Sequence, residues 1–187
     1  MIDYTRQWKP PGASGAAAAK EDDVNRNILV AYATWAGSTA EVALEVAKVL
    51  REHGATVEVR PAKEVKDLGP YGAVVLGTAV RMGKLRKDAK QFVERHREAL
   101  GRMPVAYFLV CLTMKESTEE KCQEAAAFLD PITEMVQPVD VGLFAGSLEV
   151  GKLPFYLRMG MKSMEGDFRD WDAIRAWAKG LGPKLAG

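Results

Sequence analysis

Three hydroxyls and a glycine crowd into six residues at "TWAGST", where Thr34, Gly37, Ser38 and Thr39 fall between an apolar run and a stretch of helical spacing. Hydroxyls can donate hydrogen bonds, and glycine lets a backbone approach a ligand closely. A helix that starts here presents free N–H groups and a partial positive charge, a combination that favours an anion. The loop itself holds no Lys, Arg or His, so the chemistry it suggests is phosphate binding by hydroxyls and amides. It is too short for a Walker loop and lacks that loop's Lys. With one Gly it is not the GxGxxG fingerprint either, which argues against an NTPase and a dinucleotide site. The plain alternative is a helix-capping turn, and Ser38 with Glu41 three residues on has the pattern of a capping box.

Other reactive residue types are sparse. His53 falls near a helix end and His96 on a charged helix, and both read as surface residues. The two histidines, with Cys111 and Cys122, have no metal-ligand spacing. No Ser-His-Asp or Cys-His arrangement is suggested. Cys111 ends a strand, where a redox role and simple apolar burial are both open. Two cysteines imply no disulfide framework, and the expectation is reduced thiols in a cytoplasmic protein.

Two further segments could meet a partner. Residues 81–97 carry seven Lys/Arg against two acids. A solvated helix face accounts for Lys90 to Arg97. Arg81, Lys84, Arg86 and Lys87 come earlier, just after a strand, where they can attract carboxylates. Residues 151–168, "GKLPFYLRMGMKSMEGDF", mix Phe155, Tyr156 and four methionine or leucine neighbours with Lys152, Arg158 and Lys162. Such a stretch adapts to flat ligands and its cations suit an anionic membrane surface; a helix packed on the domain is the alternative.

The elements that must position these residues alternate. "NILVAYA" (27–33), "YGAVVLGTA" (71–79), "PVAYFLVCL" (104–112) and "VDVGLFAG" (139–146) read as buried strands, and "TVEVR" (56–60) as a strand nearer an edge. Helical spacing covers 38–53, 86–99, 117–129, 154–164 and 170–180, with a single helical turn between 61 and 70. Gly54 stands where a helix C-terminus wants it. This alternation predicts a parallel sheet with helices on both faces, and ligands there bind beyond the carboxyl ends of the strands. The residues to watch are therefore 34–39, 77–83, 111–116 and 146–152.

A chain of 187 residues fits one domain, and 48% apolar residues suffice for a core. Its net charge of +1 gives no overall drive toward nucleic acid. No apolar run reaches the roughly 20 residues that span a bilayer. Residues 1–26 are rich in Pro, Gly, Ala and Ser, lack a signal-peptide pattern and are expected to be a flexible extension, leaving 27–187 as the domain.

Together "TWAGST", "VVLGTAVRMGKLRKDAKQFVERH", "MPVAYFLVCLT", "FAGSL" and "DWDAIRAWA" resemble, in order and spacing, the flavodoxin-type menaquinone-dependent protoporphyrinogen IX dehydrogenases and their flavodoxin-domain relatives. The resemblance covers about residues 27–180. It implies a flavodoxin-like three-layer sandwich, with five parallel strands in the order 2-1-3-4-5, and FMN as cofactor. The FMN phosphate would sit at Thr34, Trp35, Ala36, Gly37, Ser38 and Thr39. The isoalloxazine would lie among Thr78, Ala79, Val80, Arg81, Met82 and Gly83, then Cys111, Leu112 and Thr113, then Gly146, Ser147 and Leu148. Ala36 departs from the Thr that many flavodoxins carry, which removes one phosphate hydrogen bond. Trp35 either covers the ribityl chain or flavin, or packs on the surface.

The activity so implied is oxidation of protoporphyrinogen IX with electrons passing to a quinone. Arg81 would guide the substrate, with Lys84, Arg86, Lys87, Phe155 and Tyr156 contacting a tetrapyrrole or quinone, and 151–168 making a peripheral membrane contact at the inner face. Two other functions stay open: an electron shuttle serving redox protein partners, and a flavin-free interaction domain. The near-neutral charge and the 151–168 insertion count against the shuttle.

Overall fold

A computed structural model describes residues 27–81, 83–148, 151, 155, 159, 160, 162 and 165–186, with the backbone alone at Arg81. The predicted extension 1–26 and most of the predicted helix 154–164 lie outside the described residues.

In chain order the elements are β1 (Asn27–Ala33), α1 (Ser38–Glu52), β2 (Thr56–Pro61), β3 (Ala73–Arg81), β4 (Lys84–Leu85) and α2 (Lys87–Leu100). There follow β5 (Val105–Cys111), α3 (Glu119–Ala127), α4 (Asp130–Thr133), β6 (Asp140–Ala145), β7 (Ser147–Leu148), β8 (Gly166–Asp167) and α5 (Trp171–Leu185). Single helical turns occupy Ala62–Glu64, as the sequence predicts, and Leu112–Lys115.

The five long strands pair in parallel in the order β2-β1-β3-β5-β6. That is the predicted order, counting long strands only. The short β4 adds an antiparallel pair at the end of β3, with Val80 opposite Leu85. Strand periodicity sends alternate residues to opposite faces. Leu29, Ala31, Val74 and Leu76 pack on one side with Phe92 and Val93 of α2 and Ala125 of α3. Ile28, Val30 and Val75 pack on the other with Val42 and Val46 of α1 and Ile174 and Trp177 of α5. Every residue of β5 is buried, which explains its unbroken apolar sequence.

On the α1/α5 face the rings of Phe108, Phe144 and Trp177 meet at tilted or edge-on angles, with centroids 5.5 to 6.3 Å apart. This cluster requires a glycine beneath it. A Cβ on Gly77 would stand 2.0 Å from Cζ of Phe108. The tip of the Phe108 ring therefore reaches into β3 at Gly77, where any side chain would collide with it.

Several expectations change. α5 runs to Leu185 through Pro183 rather than stopping at 180. The helix continues past Gly180, Gly182 and Pro183 because Leu181 and Leu185 are buried and their packing carries it on. His96 is not a surface residue: it is 9% exposed, 5.0 Å from the Phe92 ring. Its neighbours Arg95 and Arg97 gave α2 a charged look, yet Ala89, Phe92, Val93, His96 and Leu100 share the buried face. His53 is exposed, as expected, with Nδ1 2.8 Å from the Val49 carbonyl.

Candidate functional site

The loop from β1 to α1 does not form a capping box. The N-cap is Gly37, not Ser38, and Ser38 is the first helical residue. Gly37 takes φ +103°, a left-handed conformation that side chains disfavour. Its N–H donates to Thr34 Oγ1 at 3.0 Å, so Thr34 holds the loop in this shape. Its carbonyl accepts from the N–H groups of Ala40 and Glu41. The N–H groups of Ser38 and Thr39 have no preceding helical carbonyl to reach, so they remain available at the helix start. Thr39 is fully buried, and its hydroxyl has no hydrogen-bond partner. A buried hydroxyl left unpaired is costly, and this one sits in the first turn of the helix.

Parallel register brings the other predicted segments alongside. Ala33 pairs with Thr78, Ala79 with Val110, and Cys111 with Ala145, so four strands end together. Beyond them lies a cleft of about 350 Å³, within the usual size for a small-molecule site. Of the predicted residues, Thr34, Trp35, Ala36, Ser38, Ala79, Val80 and Gly83 line it. So do Cys111, Leu112, Thr113, Gly146, Ser147 and Leu148. Gly37 and the buried Thr39 and Thr78 shape the loops without lining the cleft. Met82 and Tyr156 lie outside the described residues, as does the Arg81 side chain.

The second predicted group is less convergent. Lys84 and Lys87 are exposed. Arg86 pairs with Asp88 at 2.8 Å and lines a smaller cleft on the β2 side, shared with Thr34 and Lys63. Phe155 is 83% exposed and Met159, four residues on, 93% exposed.

Three lining residues escape the sequence reading: Val110, and Glu124 and Phe128 from the helical region after β5. The face that α3 turns to the cleft is set by packing, and no motif marks it. The antiparallel pair β7–β8 is also new; it sets Ser147 opposite Asp167. Phe168 N–H then donates to the Gly146 carbonyl at 3.2 Å, and Lys115 sits 4.4 Å above the Phe168 ring. The chain returning toward α5 is thus fastened to the cleft rim.

Chemically the cleft is quiet. Burial pushes the Cys111 thiol above its ordinary pKa, which disfavours the reactive thiolate. Among the described residues no group of His, Cys, Asp or Glu could hold a metal ion. None of their helices is long and apolar enough to cross a membrane. The arrangement can bind a ligand with one anionic end and one flat apolar body. Its polar end is the α1 start; its apolar walls are Ala79, Val80, Leu112, Phe128 and Leu148.

Comparison with known proteins agrees with this geometry. A family model described as a flavodoxin domain matches residues 29–168. A protoporphyrinogen IX dehydrogenase [quinone] from Escherichia coli strain K12 is 26% identical over 168 residues, covering 81% of this chain and 92% of that protein. One of the same name from Leishmania major is 28% identical over 171 residues, covering 80% of this chain and 72% of its own. Among solved structures, a flavodoxin from the domain Archaea superposes with a TM-score of 0.56 at 15% identity, over 86% of this chain and 99% of that one.

Proposed function

The chain belongs to the flavodoxin-domain family, and we propose that it is an FMN-dependent oxidoreductase of the protoporphyrinogen IX dehydrogenase type, passing electrons to a quinone. Membership of the family implies FMN as the cofactor. The residues present fit that group. Gly37 turns the loop, the Ser38 and Thr39 N–H groups are available, and the Thr39 hydroxyl is buried without a partner. This polar end, joined to an apolar cleft at the carboxyl ends of β1, β3, β5 and β6, is the observation that carries the proposal.

In this reading Thr34, Ser38 and Thr39 hold the phosphate end with backbone amides. Ala36 adds no hydroxyl, so the Thr39 hydroxyl is the natural replacement for the missing bond. Trp35 lines the cleft, in keeping with a cover over the ribityl chain or ring. The turn 78–83, the loop from Cys111 and the loop from Gly146 flank the ring. FMN, when bound, supplies the redox chemistry, taking up a hydride or single electrons. The protein's part is to bind, orient and shield from water. No side-chain nucleophile or metal is required.

The substrate assignment draws on the two relatives' names and on the basic residues beside the cleft. Arg81 ends β3, and Lys84 and Lys87 follow the turn after it, where these cations attract tetrapyrrole carboxylates to the cleft mouth. Exposed Phe155 and Met159, in the segment that also holds Lys152, Arg158 and Lys162, suit a quinone-bearing membrane surface.

The test is anaerobic turnover of the FMN-loaded protein with protoporphyrinogen IX and a menaquinone analogue. Reduction of the quinone coupled to porphyrin appearance is expected, with a weaker KM in Arg81→Ala. Bound FMN that is reduced only by protein donors would instead identify an electron shuttle.

A further inference from the structure

The chain returning from the insertion places Arg169 beside the first turn of α1. Three of its five N–H donors are placed on carboxylates. Nε and Nη2 donate to the two oxygens of Asp167, at 2.8 and 2.6 Å. Nη1 donates to Glu41 Oε2 at 2.5 Å. The cation lies 4.6 Å over the Trp171 ring, and its side chain is 8% exposed. An Arg so engaged is held in one orientation by its two carboxylate partners. Asp167, in turn, is held below the usual carboxylate range by its bonds to Arg169.

Glu41 is the reason this matters. It is the acid in the first turn of α1, and its Oε1 lies 4.0 Å from where a Cβ on Gly37 would stand. With the anion site empty, a carboxylate there is favourable to the helix dipole. With a phosphate at the same helix start, an uncompensated carboxylate repels it.

We propose that Arg169 is a positioning residue for phosphate binding at the α1 start: it offsets part of the charge of Glu41, leaving the Asp167–Arg169–Glu41 cluster at net −1 rather than −2, and holds that carboxylate aside. This rests on the FMN reading above. It also gives the β7–β8 pair a purpose. The β7–β8 pair and the Phe168–Gly146 hydrogen bond deliver Arg169 to α1 across 128 residues of sequence.

The experiment compares FMN with riboflavin, which lacks the phosphate, by flavin-fluorescence titration of the full chain. In Arg169→Ala the FMN Kd is expected to rise roughly tenfold, as for an unscreened charge near a dianion, with the riboflavin Kd unchanged. Adding Glu41→Gln to that variant should restore FMN binding. Glu41→Gln alone changes an exposed carboxylate, so the fold is safe. It should tighten FMN at low salt and leave riboflavin unaffected. Equal weakening of both flavins in Arg169→Ala, no rescue by Glu41→Gln, or weaker FMN binding in Glu41→Gln alone would each overturn the proposal. A wild-type protein that binds neither flavin would overturn the FMN reading itself.

Discussion

The two ends of the sheet each carry a hollow, and the larger one has less chemistry. At the amino ends of the strands a cavity of about 430 Å³ is lined by Asn27, Ile28, Ala73, Ala178 and Pro183, mostly apolar atoms at the foot of α5. At the carboxyl ends the cleft is about 350 Å³. Only the second has a left-handed glycine at a helix start and, close by, a buried hydroxyl without a partner. Volume measures how imperfectly helices cover a sheet. What distinguishes the carboxyl end is the polar helix start beside its cleft. In a parallel α/β sheet the chain crosses from strand to helix at the carboxyl end, so the helix N-termini with free N–H groups gather there.

The sharpest way to break this contrast is Gly37→Val. A β-branched side chain is strained at φ +103°. With the cost of such strain at about 1–3 kcal/mol, the loop is expected to reorganise and FMN affinity to fall about 10–100-fold. Thermal melting should shift only modestly, since the loop is outside both cores. An unchanged FMN titration would detach the loop from the site.

Thr39→Val is a smaller and more diagnostic change. It replaces an unpaired buried hydroxyl with a methyl of similar shape. Stability without flavin should hold or rise, while FMN affinity drops by a few-fold, the net value of one hydrogen bond at about 1 kcal/mol. Loss of stability in flavin-free protein, by chemical denaturation, would show that the hydroxyl serves the fold instead.

The pH dependence should separate fold from site. Burial holds His96 below its ordinary pKa of 6.5, so the unfolded chain binds the proton more readily than the native one. Stability conferred by the neutral ring is therefore present above about pH 6.5 and lost as the pH falls toward the lowered native value. Denaturation midpoints measured from pH 8 to 5 should decline through this window. His96→Gln should flatten that decline, and an unaltered slope would place the titrating group elsewhere.

Least affected should be the amino end. Gly182→Ala lines the larger cavity and its Cβ meets nothing within 4 Å. Helix propensity favours Ala by about 0.5–1 kcal/mol, but a Cβ just before Pro183 disfavours helical backbone, so stability is expected to change by less than about 1 kcal/mol. The flavin titration should be unchanged, and any shift in it would mean the two ends are coupled.

Strand and helix order were legible because buried strands write themselves as apolar runs and α1 as a clear 3.6-residue stripe. The loops at their carboxyl ends followed from that order. What stayed hidden depends on tertiary contact. A left-handed Gly37 and a capping box both look like small polar residues before a helix; only the backbone angle separates them. Glu124 and Phe128 reach the cleft through the way α3 packs. Two-residue strands such as β7 and β8 are too short for any periodicity, and their pairing spans the insertion. His96 was readable in principle. Its spacing from Phe92 and Leu100 marks the buried face, but the arginines on either side outweighed it.

The central claim is that the carboxyl-end cleft takes FMN by its phosphate at the start of α1. Titrating the wild-type protein with FMN and with riboflavin tests it most directly. The account predicts saturable quenching by both, with FMN at least about tenfold tighter, the scale of one to two charge-assisted hydrogen bonds. Equal affinity for the two, or no binding of either, would contradict it.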